Sequence, residues 1–460
     1  MRLPTLGLVV FVSTLLVFGF SLNAVWAADH PSSLMELSYA FWANHSVVLG
    51  KEGQFTPQSV DDFVYQGNYY SALAPGASVL ALPFVGLGFV LDGKFNLFGN
   101  AMLLSEFFVA LCNSVAAYLV FKLGSRYFTA KTSAFLAFAY AFSTISWPFA
   151  AYFFQSDVSA MLDLLAVYLA VRIARSGSSG LAAAVPCGAA LGAALTVDYV
   201  NGVLVPIVSL FLLYSFRRTF AGFAKGFAGL LVASAVGIVL LALYNQAAFG
   251  DPFVTTEQAY QHTSSLLGSF SYPILDGLGL NLFSPLRGIF VYCPILVLGA
   301  LGFYSFLSRR EMAIEGLLLA ACFTGILLPY SMWTDAVGGE AFGQRFLIAA
   351  VPFLLLPSGF MIEARGRGDA AFAHLLYAVG VLFNGIAAVT TTIPQAEAVS
   401  RFPFLTQVLP LFLSGTLDTW WWRRAGPFWW APAALIIAVA LVLPLVASRL
   451  SRPEAPDVPR

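Results

Sequence analysis

Long apolar stretches recur along the whole chain, separated by polar gaps, and their lengths point to the structure. A hydrocarbon core about 30 Å thick needs about 20 apolar residues to cross it as a helix. About twelve stretches approach that length, over residues 5–27, 99–121, 132–151, 157–174, 181–199, 202–216, 226–247, 288–307, 312–332, 346–362, 371–391 and 428–448. Helices are expected because lipid offers no partner for an unsatisfied backbone group. The stretch 76–91 is apolar but shorter, and Pro83 interrupts it. It reads as an interfacial or re-entrant piece. Residues 1–28 also resemble a cleavable signal peptide ending at Ala24–Ala27, although the length of the run favours a retained helix. The expectation is an all-α polytopic transmembrane bundle, a single membrane domain over 1–460.

Composition agrees with that picture: 59% of residues are hydrophobic and 10% charged, against about a quarter charged in soluble domains. Charge then gives the ladder a direction. About sixteen of the 23 Lys and Arg residues fall in the gaps on one side, the bias that marks cytoplasmic loops. The other side keeps Lys51, Lys94, Arg287, Arg345, Arg401, Arg423 and Arg424. Both termini are therefore expected in the cytoplasm, with residues 449–460 as a charged, proline-rich tail. Acidic and basic residues balance at 23 each, so no basic field invites nucleic acid. No GxxxxGK[ST] or GxGxxG loop is present, which argues against ATP-driven work by this chain alone. Cys112, Cys187, Cys293 and Cys322 lie inside apolar stretches and read as packing residues.

Three connections on the outer side are long (28–98, 248–287 and 392–427), and a fourth, 333–345, is short and densely polar. Long ordered loops on one face usually carry function. Outer carboxylates include Asp29, Glu36, Asp61, Asp62, Asp251, Glu257, Asp335 and Glu340. Asp157 starts a helix and reads as its cap. Asp163 and Glu106 lie within apolar helices, where a carboxyl group needs a partner. His45, His262 and His374 share no metal-like spacing, so a divalent metal is possible but unsupported. Trp420–Trp422 and Trp429–Trp430 read as an interface anchor, with acceptor stacking as the sharper alternative.

Asp61 to Gly76, with Tyr69-Tyr70-Ser71 and Pro75-Gly76, followed by Val79-Leu80-Ala81-Leu82-Pro83, resembles the first outer loop of GT-C glycosyltransferases. Further matches come in order: Asp198-Tyr199, Tyr244-Asn245, Asn281 to Gly288, and Trp333 to Leu347 around Gly338-Gly339 and Arg345. The whole resembles the protein-mannosyltransferase type, dependent on lipid-phosphate sugars. Residues 1–250 would form the GT-C-like core with outer loop 28–98, and 251–448 further helices and outer loops. Three departures stand out. Relatives often carry a lysine where Ala72 or Leu73 stands, and a proline where Gln344 stands. They commonly open the first loop with an acidic pair, whereas here His30 follows Asp29.

The resemblance implies transfer of a sugar from a polyprenyl-phosphate donor to a glycan, lipid or protein acceptor at the extracytoplasmic face of the plasma membrane. A carboxylate would deprotonate the acceptor hydroxyl, and a cation would balance the departing phosphate. The candidates for base are Asp29, Asp62, Asp61 and Glu36. Arg345 and Arg287 are the candidates for donor phosphate, and Tyr69, Tyr70, Trp333 and Glu340 for substrate contacts. The same residues leave two other readings open: a transporter or flippase of lipid-linked sugars, or a degenerate GT-C scaffold. No cofactor is implied beyond the lipid-linked donor.

Overall fold

The computed structural model describes residues 3–23, 29–50, 59–95, 99–177, 180–261, 266–363, 367–391, 393, 402–421, 428 and 430–450. Several residues singled out in the sequence lie outside that set: Arg2, the Ala24–Ala27 segment, Lys51, His262, Arg401, Trp422–Arg424, Trp429 and the tail from residue 451.

The apolar stretches form helices. The first, α1 (Leu3–Ser21), is followed by a largely buried helix α2 (Asp29–Ala43). A hairpin of β1 (Asp62–Tyr65) and β2 (Asn68–Ser71) leads to α3 (Gly76–Phe95). Gln66 and Gly67 both have positive φ, 49° and 84°, the backbone of a tight hairpin turn. A bundle follows in which most neighbours in sequence pack together: α4 (Asn100–Gly124), α5 (Ala130–Phe142), α6 (Ser146–Phe149), α7 (Gln155–Ser176), α8 (Leu181–Val197), α9 (Leu204–Ser215) and α10 (Phe220–Phe249). The second half begins with short α11 (Thr256–Tyr260), α12 (Ile274–Phe283) and α13 (Ile289–Tyr292). It continues through α14 (Leu296–Ser308), α15 (Ala313–Met332), α16 (Val351–Leu355), α17 (Ser358–Glu363), α18 (Arg367–Thr390), α19 (Leu409–Leu413) and α20 (Trp430–Leu450).

Seven of the described helices are long and apolar enough to cross a bilayer, and six apolar runs are shorter. Without a hydrophobic drive between helices in lipid, close approach depends on small residues. The α8–α10 contact shows this: a Cβ on Gly188 would stand 2.2 Å from the Leu230 carbonyl oxygen, and one on Gly237 2.1 Å from that of Gly192.

Two contacts establish which ends of the helices lie together. Gly7, early in α1, meets Tyr118 and Phe121, late in α4, so these helices run antiparallel. The last turn of α1 takes a hydrogen bond from Trp147 Nε1 to Ser21 Oγ (3.0 Å), placing it beside the α6–α7 turn. Helix α3 has the length of a span, yet both its ends meet this same end of the bundle. Gly76 abuts Thr196, with a Cβ there only 2.4 Å from the Thr196 carbonyl carbon. At its other end Asp92 accepts from the Asn100 backbone at 2.9 Å and caps α4. It therefore lies with α2 as a layer over one end, consistent with an interfacial segment.

Some expected elements are interrupted. The run 132–151 divides into α5 and α6 around Ser143–Ile145, and 346–362 into a short 3-10 turn, α16 and α17, with Pro352 and Pro357 in the path. Asp157 does not cap α7. Its Oδ1 accepts from Asn113 Nδ2 at 2.7 Å, and Asn113 Oδ1 in turn accepts from Tyr140 (2.9 Å). Trp420 and Trp421 donate their indole N–H groups to the Gly19 and Phe20 carbonyls. They satisfy the otherwise open end of α1, so the indoles of these two are bound to protein, and Trp421 is buried. The four cysteines are buried and unpaired, in keeping with a packing role.

Candidate active site

At the end of the bundle covered by α2 and the hairpin lies a cavity of about 340 Å³. Its walls come from the first outer loop, the start of α7, the turn between α8 and α9, α11 with the loop after it to Phe270, and the segment from the end of α15 to Phe346. It brings together residues that the sequence keeps far apart, with charged and aromatic side chains interleaved.

Asp61 enters from the residue just before β1. Its backbone oxygen accepts from Ala72 N at 2.8 Å and from Ser33 Oγ at 3.2 Å, which fixes the root of the side chain. Its Oδ2 lies 3.1 Å from His30 Nδ1. Burial pushes the carboxyl up, but His30 and the charge of Arg345 outweigh it and hold Asp61 below its usual value. His30 itself is pushed down by burial and then by Arg345, so it is neutral near pH 7.

Asp198 ends α8 and accepts from Val200 N at 3.0 Å and from the Tyr330 hydroxyl. Tyr330 stacks on Phe346 with ring centres 4.8 Å apart. Glu257, on α11, is pushed up to about 7 by burial, then by Asp198, Asp61 and Asp335. Helix α11 is closed by a capping box between Thr255 and Gln258, and Tyr260 OH donates to the Val60 carbonyl at 3.1 Å. That bond ties the second long loop to the first, next to Asp61.

Arg345 is the cationic lining residue among those described. Its guanidinium lies 5.4 Å from the Phe154 ring centre and 5.1 Å from that of Phe346. Burial lowers its pKa while Asp61, Asp335 and Tyr330 raise it. Its buried Nε has no hydrogen-bond partner among the described residues. Trp333 lines the same wall and meets Phe270 edge-on at 5.2 Å.

Two buried residues hold this segment. Arg287 is 1% exposed and donates through Nε to the Val337 carbonyl at 2.8 Å, and through its Nη atoms to Ala341 and Gly339. It was expected at the donor phosphate. Its donors instead hold the backbone of the 333–345 loop, and it does not line the cavity. Gln344, where relatives often carry proline, donates to the Ala336 carbonyl at 2.9 Å and to Asn281.

The other candidates divide clearly. Asp29, the first residue of α2, stands beside the cavity and does not line it; burial, then Asp61, raises its pKa. Asp62 faces away from the cavity toward Glu36. Burial, and then Glu36, raise Asp62 to about 7, so Asp62 is partly protonated at neutral pH. Tyr70 is buried against Phe249 at 5.4 Å, and Tyr69 is exposed on the hairpin. Glu340 is exposed and outside the lining. Asp163 and Glu106 are fully buried within the bundle, away from the cavity wall.

The residues missed in the sequence are His30, Gln155, Tyr260 and Tyr330, which line the cavity. His30 had one signal, its place where an acid was expected. Among the described residues, no group of three or more His, Cys, Asp or Glu side chains is arranged to hold a metal ion.

Comparison with known proteins agrees with this architecture. The sequence profile of the dolichyl-phosphate-mannose-protein mannosyltransferase family matches residues 83–243, from within α3 to α10. ArnT from Cupriavidus metallidurans, bound to undecaprenyl phosphate, superposes with a TM-score of 0.57 at 15% identity, covering 96% of this chain and 75% of that one. The archaeal oligosaccharyltransferase AglB from Archaeoglobus fulgidus, in complex with an inhibitory peptide and a dolichol-phosphate, gives 0.52 at 13% identity, covering 94% and 59%. No curated protein matches by sequence. The chain is a polytopic membrane protein with the fold of the GT-C glycosyltransferases. Within that fold, the part from residue 83 to 243 is similar to the mannosyltransferases that take their sugar from a lipid phosphate.

Proposed function

We propose that this chain is a glycosyltransferase that moves a sugar from a polyprenyl-phosphate donor to an acceptor hydroxyl at the extracytoplasmic surface of the plasma membrane. One observation carries the reading: Asp61 and Arg345 face a single cavity at one end of the bundle, in a fold whose solved examples include a complex with a lipid phosphate.

The chemistry is an inverting displacement. The acceptor oxygen attacks the anomeric carbon while its proton passes to the Asp61 carboxylate. The bond from the anomeric carbon to the phosphate oxygen breaks, and its electron pair leaves with the lipid phosphate. Arg345 faces that developing charge in a partly water-excluded wall, where a fixed cation has most effect. Asp61 is ionised at neutral pH, the state a proton acceptor needs. Ala72 and Leu73, where relatives often place a lysine, line the cavity without charge. The demand on Arg345 is correspondingly greater. Trp333, Tyr199 and Tyr260 supply aromatic faces suited to a sugar ring.

Sidedness follows from charge. Arg126, Arg175 and Arg309 lie at the end of the bundle opposite the cavity. There Arg175 forms a two-pronged pair with Glu315, both contacts 2.7 Å. A basic far end supports a cytoplasmic assignment for that end by the positive-inside rule, and with it a cavity on the outer side.

The test is transfer of labelled sugar in membranes containing the chain, supplied with a panel of polyprenyl-phosphate sugars. Transfer that falls at least about 100-fold in Asp61→Asn, the usual range for a general base, supports the reading. Saturable binding of the lipid phosphate with no turnover from any donor would replace it with a transporter or a retired scaffold.

A further inference from the structure

The pocket wall contains a histidine whose contacts exceed what packing requires. His30 is 7% exposed. It bridges two segments far apart in sequence, with Nδ1 3.1 Å from Asp61 Oδ2 and Nε2 facing Oε1 of Gln155. Its ring lies flat on Phe154, 4.8 Å between centres at 16°, and Arg345 stands over the same Phe154. The first outer loop, the start of α7 and the loop that delivers Arg345 therefore meet around this one imidazole.

We propose that His30 is a positioning residue of the transfer reaction: it fixes the Asp61 carboxylate against the start of α7 through Gln155 and leaves the second carboxylate oxygen for the acceptor. The inference rests on the reading of Asp61 as base.

The hydrogen-bond inventory supports it. An ionised carboxylate only accepts, so the imidazole proton that meets Asp61 sits on Nδ1. A neutral ring then presents Nε2 as an acceptor, which calls for the Gln155 amide turned end for end, its N–H group in the place of Oε1. With the amide turned that way, Gln155 selects the tautomer, as the partner on one ring nitrogen generally does for the other. Asp61 commits Oδ2 to His30 and has no described hydrogen bond on Oδ1. A neutral partner is also the productive one. It orients Asp61 without cancelling its charge, whereas a cation there would make the carboxylate a poorer base.

The experiment uses the full chain in membranes and labelled-sugar transfer, with donor KM and kcat measured separately. In His30→Ala, kcat falls roughly 10- to 100-fold, the range for losing a hydrogen bond to a charged group, while donor KM changes little. His30→Asn keeps an amide N–H near the Nδ1 position and recovers most of kcat. His30→Gln reaches the Gln155 side instead and stays low, which serves if the alanine variant fails to accumulate. Asn and Gln variants equally low at normal yield, or a loss confined to KM, would overturn the proposal. Inactive wild type, or fully active Asp61→Asn, would overturn the parent reading instead. An active wild type with essential Asp61 leaves the His30 variants to judge this inference alone.

Discussion

Replacing Arg287 by alanine removes a cation from beneath the cavity without touching the cavity wall. The guanidinium makes three close bonds to the Val337, Ala341 and Gly339 carbonyls and a longer one, 3.3 Å, to Leu286. A hydrogen bond to a charged group contributes about 1.5–3 kcal/mol net. If two of the close bonds count independently, the low end of that range already gives about 3 kcal/mol. Carbonyls left buried without a donor add to the cost. Arg287→Lys keeps the charge but not the planar fork, so it recovers part of the loss. The loop at stake carries Trp333, Asp335 and Arg345 to the cavity, and a misplacement of about 1 Å costs about 100-fold in rate. The assay pairs the thermal unfolding midpoint in detergent with sugar transfer in membranes. Arg287→Ala is expected to lower the midpoint by several degrees and transfer by about 100-fold, with lysine between the two. An unchanged midpoint with selective loss of polyprenyl-phosphate binding would refute the reasoning and return Arg287 to the phosphate.

Two further outcomes follow from the same contacts. Asp62 titrates near 7 in the fold against 3.8 ordinarily, so between about pH 4 and 7 the native chain holds a proton that the unfolded chain has lost. Stability therefore falls as pH rises through that window and levels above it. Asp62→Asn flattens that slope in thermal midpoints, and an unaltered slope would dismiss the Asp62–Glu36 pair as its source. Gly76→Ala places a methyl group 2.4–2.5 Å from Thr196 and should cost about 1–3 kcal/mol as overpacking. A variant with wild-type midpoint would show that the loop is not pinned there.

The helices were legible because a long apolar run has few structures open to it. Asn100–Gly124, Ala313–Met332 and Trp430–Leu450 lie within a few residues of the expected spans. Interruptions were not legible: prolines such as Pro352 are tolerated in membrane helices, and their effect depends on neighbours. The hairpin was hidden by its short strands, which carry aromatics on both faces, so the two-residue period never emerged. For the site, the loops were legible and the geometry was not. Asp61 and Asp62 are adjacent in sequence, but strand alternation sends one to the cavity and the other to Glu36. His30 and Arg345 were separated from Asp61 by distances that only the tertiary fold closes. Arg287 and Arg345 look alike in sequence, since both are arginines at a loop boundary. What separates them is the set of carbonyls beneath the 333–345 loop.

The central claim is that Asp61, rather than its neighbours, removes the acceptor proton. The direct measurement is sugar transfer by Asp61→Asn, Asp62→Asn and Asp29→Asn at matched amounts in the membrane, alongside binding of the lipid-phosphate donor. The account predicts that Asp61→Asn loses at least about 100-fold in kcat while still binding donor, with Asp62→Asn and Asp29→Asn within about tenfold of wild type. Near-normal transfer by Asp61→Asn, with loss in Asp29→Asn or Asp62→Asn, would contradict it.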